Sequence, residues 1–156
     1  MNNLQQTPDI LQIAKDFIKA VEKRKSFDEI SKFYHPDVIQ IEYPNAVTKN
    51  IKIRTLQDLE KAAEQGRQVV REEHYEIINS YVCNNIVIVE VIWKAASAIE
   101  IGSAPAGSLI QAYFAQFFEF KDGKIFRQRN YDCFENFNKS QYKYNKEKVF
   151  NHDSIN

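Results

Sequence analysis

Four glycines, two cysteines and one tryptophan among 156 residues exclude several kinds of chemistry. A loop that cradles phosphate needs clustered glycine, so no nucleotide or other cofactor is expected. Cys83 and Cys133 stand far apart, giving neither a disulfide framework nor the paired thiolates of a zinc site; both are expected as buried or neutral thiols. The histidines and acids are dispersed, with no helical or hairpin spacing to unite them, and no metal is expected. Lysine plus arginine equals aspartate plus glutamate at 21 each, so the chain lacks the basic field that a nucleic acid requires. No apolar run approaches a membrane span. The opening MNNLQQTPDILQ lacks the positive start and apolar core of a secretory signal, so a soluble, cytoplasmic protein without a membrane partner is expected.

What is present reads as one domain, residues 1–138, followed by a polar tail rich in asparagine and lysine, residues 139–156. The triplet Asn138-Lys139-Ser140 fits a glycosylation sequon and is attributed to chance. Thr7-Pro8-Asp9 opens a helix, with the threonine as cap, and Ile10, Leu11, Ala14, Phe17, Ile18 and Val21 form its apolar face. Ser26 to Glu29 is a capping box for a short second helix, which His35-Pro36 ends. DVIQIEYPN is a first strand, alternating Ile39, Ile41 and Tyr43 against Gln40 and Glu42. Thr55 caps a third helix with Gly66 near its end. The period then switches to two through HYEIINSYV, NIVIVEVIWKA, SLIQAYFAQFFEF and KIFRQRNYDCF. Three helices followed by a mostly antiparallel sheet make the fold class α+β. Trp93 is expected in the core, and Glu90 in an outer-face ion pair.

The last hairpin carries the informative residues. A three-residue loop, Lys121-Asp122-Gly123, with glycine at a left-handed position would pair Gln128 with Gln116 and Asn130 with Phe114. Phe114, Gln116, Phe118, Phe120, Phe126, Gln128, Asn130 and Asp132 then share one face, an aromatic wall interrupted by three amides and an acid. In a sheet covered by helices that pattern describes a pocket with a few convergent polar groups. Ile125, Arg127, Arg129 and Tyr131 take the other face, suited to a partner subunit. A two-residue loop would exchange the faces.

The order of elements, with FYHPDVIQIEYPN, SAPAG and FEFKDGKIFRQRNYD, resembles the SnoaL-like branch of the nuclear transport factor 2-like superfamily, from about Pro8 to Phe134. The resemblance implies a cystatin-like cone: a strongly curved, mostly antiparallel mixed sheet wrapped around the first helix and enclosing an apolar cavity. It also implies a homodimer through the outer sheet face. The fold hosts cyclases, isomerases, hydrolases, dehydratases and binders, so chemistry must come from residues. At the positions matching the ketosteroid isomerase branch stand Phe17, Gln116 and Tyr43, none of which supplies the group that branch uses. Polyketide cyclases of this type keep an aspartate on the last strand, matching Asp132; their histidine has no equivalent, since His35, His74 and His152 lie elsewhere. Epoxide hydrolysis needs an arginine between two carboxylates in the cavity, whereas Arg127 and Arg129 are expected outside.

The expected function is a cavity that binds a small hydrophobic or aromatic molecule, with cofactor-independent acid/base chemistry of a cyclase or isomerase. Asp132 is the candidate catalytic acid; Phe17, Tyr43, Phe114, Gln116, Phe118, Gln128 and Asn130 are candidate ligand-binding residues. Two alternatives stay open: a non-catalytic binder with the same lining, and a dimeric assembly module whose cavity is filled.

Overall fold

Asp9 accepts a hydrogen bond from the Gln12 amide at 3.1 Å and caps the first helix, α1 (Ile10–Glu22). An acid at this place satisfies a free amide and meets the positive end of the helix dipole. The computed structural model describes residues 8–137, so Thr7, expected as the cap, lies outside the described residues, as do the tail, the sequon and His152. Ser26 and Glu29 close a reciprocal capping box on α2 (Phe27–Ser31). The chain is already extended at Tyr34, where β1 (Tyr34–Glu42) begins. His35 and Pro36 therefore lie inside a strand. The β1 ladder is irregular between Tyr34 and Ile39, a place where a residue without an amide proton is tolerated.

A three-residue strand, β2 (Lys52–Arg54), follows and pairs antiparallel with β1; the sequence pattern did not signal it. Thr55 and Asp58 cap α3 (Leu56–Val69), which runs three residues past Gly66. Then come β3 (Val70–Cys83), β4 (Ile86–Ser97), β5 (Leu109–Lys121) and β6 (Lys124–Phe134). The six strands form one mixed sheet in the order β2-β1-β6-β5-β4-β3, with β1 and β6 parallel and all other neighbours antiparallel. The class is α+β, with helices on one face of the sheet.

Alternation fixes the inner face. Val87, Val89, Val91 and Trp93 of β4 are buried, as are Phe114, Gln116, Phe118 and Phe120 of β5. α1 lies on this face through Phe17, whose ring meets Phe33, Tyr34 and Phe118 edge-on at centroid distances of 5.8, 5.3 and 5.6 Å. Full burial of a side chain such as Phe118 contributes about 1.5–3 kcal/mol.

The last hairpin corrects the expected loop. Lys121 pairs with Lys124, so the loop is Asp122-Gly123, both at positive φ (53° and 71°), as a type I′ turn requires. A bulge between Glu119 and Phe120 then shifts the register, pairing Phe118 with Gln128, Gln116 with Asn130, and Phe114 with Asp132. The bulge restores the expected inner face for Gln128, Asn130 and Asp132. It reverses the ends nearest the turn: Ile125 is fully buried, and Phe126 lies beside His35 under the Arg127 guanidinium.

Candidate functional site

Two strands carry the site, and their sequences align in register. Gln40-Ile41-Glu42 of β1 runs parallel to Gln128-Arg129-Asn130 of β6, residue beside residue. Because side chains alternate, Gln40, Glu42, Gln128 and Asn130 turn to one face while Ile41 and Arg129 turn to the other. The inner four line a cavity of about 300 Å³ together with Arg54 and Gln116. Its apolar wall comes from Phe17, Ile18 and Val21 of α1, Phe27 and Ile30 of α2, and Leu59, Ala62 and Ala63 of α3. Tyr34 and Tyr75 complete it.

The polar lining divides into satisfied and unsatisfied groups. Tyr34 Oη donates to Gln128 Oε1 at 3.0 Å, and Gln128 Nε2 donates to Asn130 Oδ1 at 3.0 Å. Burial pushes the Tyr34 pKa up, which keeps its hydroxyl a donor. Arg54 Nη1 donates to Glu42 Oε2 at 2.7 Å and to Gln40 Oε1 at 3.0 Å. Thr48 Oγ1 and Asn45 Nδ2 donate to the other Glu42 oxygen at 2.6 and 3.1 Å. Burial alone would raise the Glu42 pKa; these hydrogen bonds and the Arg54 charge outweigh it and hold the carboxyl below its ordinary value. Glu42 is thus a fixed anion.

Asp132 is the opposite case. It lies one inner-face step beyond Asn130, and its Oδ1 is buried without a hydrogen-bond partner. Burial, reinforced by the Glu42 charge and opposed by Arg54, pushes its pKa to about 7. Gln116 Oε1, on the neighbouring strand, is likewise buried and unpartnered. Its strand partner is Asn130, which makes Gln116 and Asp132 diagonal neighbours on one face. Orphaned buried acceptors are uncommon in folded proteins and point to a missing donor.

Of the residues singled out from sequence, Phe17, Gln116, Gln128 and Asn130 meet in the cavity wall. Asp132 lies beside them, outside the immediate lining. Three are elsewhere. Tyr43 stacks on Tyr131 at 4.6 Å on the outer face, since β1 pairs in parallel register with β6 and gives the inner position to Glu42. Phe114 packs against Trp93 and Phe134 at centroid distances of 5.4 and 6.0 Å, and Phe118 is sealed beneath Phe17. Cys83 and Cys133 are exposed, so the buried alternative holds for neither thiol. Glu90 accepts from Asn79 at 2.7 Å and, among the described residues, stands in no ion pair. Among the described residues no group of histidine, cysteine and acid could hold a metal, and no helix is long and apolar enough to cross a membrane.

Sequence reasoning missed Gln40, Glu42, Arg54 and Tyr75. The signal for the first two was the repeat of amide-x-polar in β1 and β6. Arg54 gave none, because a three-residue strand shows no period.

A family model described as a SnoaL-like domain matches residues 14–128. No curated protein sequence matches the chain. Among solved structures, IdmH of Streptomyces antibioticus superposes with a TM-score of 0.68 at 11% identity over 80% of this chain and 91% of its own. TerC, co-crystallised with polyporic acid, gives 0.63 at 15% identity over 81% and 91%. A protein of ketosteroid isomerase-like fold from Catenulispora acidiphila, in complex with trimethylamine, gives 0.60 at 14% over 81% and 86%. At these identities the likeness is one of fold.

Proposed function

The chain belongs to the SnoaL-like domain family, and from that premise we propose that its cavity binds a compact, hydroxylated aromatic or enolisable ketone and moves a proton on it through Asp132. The observation that carries this reading is the pair of buried, unpartnered oxygens, Gln116 Oε1 and Asp132 Oδ1, beside a cavity whose other polar groups are largely engaged with one another. A volume of about 300 Å³ stands at the small end of ligand pockets and suits one or two fused rings. TerC, co-crystallised with polyporic acid, supports a hydroxylated ring compound as the ligand class.

In this reading the Asp132 carboxylate takes a proton from carbon next to the ligand carbonyl, leaving an enolate. The amide nitrogens of Gln116 and Asn130, which donate to no acceptor among the described residues, hold the developing oxyanion. The Asp132 carboxylic acid then returns the proton to the same or another carbon, and no cofactor is consumed. A pKa of about 7 suits both directions at neutral pH. Such a step serves an isomerisation or an aldol-type ring closure.

Solvent exchange tests it. The chain is expected to accelerate deuterium incorporation into β-tetralone in heavy water and to bind β-naphthol, a stable likeness of its enol. Asp132→Asn should abolish exchange and leave β-naphthol affinity within about tenfold. Binding without exchange would establish the non-catalytic alternative. Failure of both probes to bind would remove the cavity reading altogether.

A second reading rests on Arg54, which places in the cavity wall the arginine that the sequence did not locate there. It pairs with Glu42 and its charge also acts on Asp132, the combination of one arginine with two carboxylates that epoxide hydrolysis calls for. Hydrolysis of styrene oxide, lost in Arg54→Met, would favour it over the isomerase. The outer face, with Tyr43 stacked on Tyr131, Phe117 edge-on to Tyr131 and Tyr113 exposed, supports a homodimer through that surface.

A further inference from the structure

Glu73 stands opposite buried Ala95 on the inner face of β3, and its side chain is only 17% exposed. Its Oε2 accepts from Trp93 Nε1 and from Tyr75 Oη, both at 3.1 Å. Burial raises its pKa, against those two hydrogen bonds and the Arg24 charge. Its Oε1 has the Arg24 guanidinium at 3.8 Å, an ion pair too long for a hydrogen bond. Glu73, Arg24 and Trp93 line a second compartment of about 220 Å³. This compartment and the main cavity share Val21, Ile30 and Ala63 as common walls, and Tyr75 lines the main cavity while its hydroxyl reaches Glu73.

The spacing of this ion pair, on the wall of the second compartment, sets what kind of group could join it. A group between Glu73 Oε1 and Arg24 Nη1 must donate to the first and accept from the second. A hydroxyl does both, and one placed roughly 2.8 Å from each atom spans the 3.8 Å gap with an angle of about 85° at its oxygen. An ammonium lacks the acceptor, a carboxylate lacks the donor, and an apolar group would leave the pair unbridged.

We infer that the Glu73–Arg24 pair is a second subsite that captures a hydroxyl at the far end of the ligand, so that the preferred ligand carries oxygen at both ends of an apolar body. The near end meets Gln116 and Asp132, and the far end reaches past Tyr75. This assignment rests on the proposed ligand-binding role of the cavity and adds its specificity. Arg24 is held ready for it: its other amino group donates to the Arg67 carbonyl at 3.2 Å, and Arg67 donates in return to the carbonyls of Arg24 and Lys25.

The test uses matched probes on the full chain by titration calorimetry: β-naphthol against the naphthalene diol with hydroxyls at opposite ends, and para-phenylphenol against the corresponding biphenol. At least one diol should bind about tenfold or more tightly than its parent, as a hydrogen bond to a charged group warrants. Glu73→Gln should erase that gain and leave the parents within about twofold. Arg24→Lys, at a more exposed position, should reduce it as well, which keeps the proposal testable should the first variant fold poorly. Trp93 is the sole tryptophan of the chain, so its single indole N–H resonance should move with the diol and not with the parent. Parents that bind while neither diol gains, or a gain that survives Glu73→Gln, would overturn the subsite and leave the cavity reading standing. Absence of binding by all four probes would overturn both.

Discussion

Arg54 of β2 and Glu42 of β1 meet at 2.7 Å in the cavity wall, joining the shortest strand of the sheet to the strand that carries Gln40 and Glu42 of the polar lining. The guanidinium also holds Gln40. Replacing it by methionine keeps the bulk and removes the charge, leaving Glu42 with Thr48 and Asn45 alone. Urea unfolding of Arg54→Met should show a loss of about 1–3 kcal/mol. An unchanged midpoint would mean that the pair is not formed in solution.

Asp132 makes stability fall as pH rises. Its folded pKa of about 7 lies above the ordinary 3.8, so between these values the folded state binds the extra proton. The favourable contribution is complete below about pH 4 and is lost by the time pH passes 7. Asp132→Asn lacks this dependence. At pH 8 the variant should be more stable than the parent by on the order of 2–4 kcal/mol, and the gap should close on acidification. Glu73, raised in the same direction, remains in both proteins and cancels in the comparison. Parallel stability curves from pH 4 to 8 would refute the assignment.

The buried face of β6 was legible in the sequence, and the reason is local. Three polar residues two apart in an otherwise aromatic hairpin can share only one side of a sheet, and the bounds of β6 coincide with KIFRQRNYDCF. The loop was misjudged because a glycine after aspartate suits either a bulged or a primed turn; the bulge sat two residues further along, beyond what turn chemistry reports. The face of β1 was not legible. The alternation put Tyr43, and with it Ile39 and Ile41, on the cavity side, but the parallel neighbour is β6, and the pairing of Gln40 with Gln128, 88 positions later, decides the orientation. Val38 and Gln40 go in, while Tyr43 goes out to Tyr131.

Gln116 trades stability for binding. With no ligand its Oε1 is desolvated and unpaired, which costs about 1–3 kcal/mol. Gln116→Leu should therefore raise the melting temperature or leave it unchanged, and weaken β-naphthol binding about tenfold. A marked loss of stability would show that the amide has a structural partner and is not held open for a ligand.

The turn that sets the register has its own signature. Gly123 sits at φ +71°, and an added Cβ would approach Pro8 to 3.4 Å. Gly123→Ala should cost about 1 kcal/mol or slightly more in thermal unfolding. No change would argue against the primed turn and hence against the register of the cavity strands.

The outer aromatic face predicts association. If it joins two copies, Tyr131→Glu should shift sedimentation from dimer to monomer while β-naphthol affinity stays within about twofold, because Tyr131 and Gln116 lie on opposite faces. A dimer that persists would move the interface elsewhere.

The most direct test is a carbon NMR titration of the Asp132 side-chain carboxyl in the folded chain. The account predicts a midpoint near 7 that moves down in Glu42→Gln, since the Glu42 charge helps to raise it. A midpoint near 3.8, unmoved by that substitution, would mean that Asp132 is an ordinary solvated acid and would contradict the proposed site.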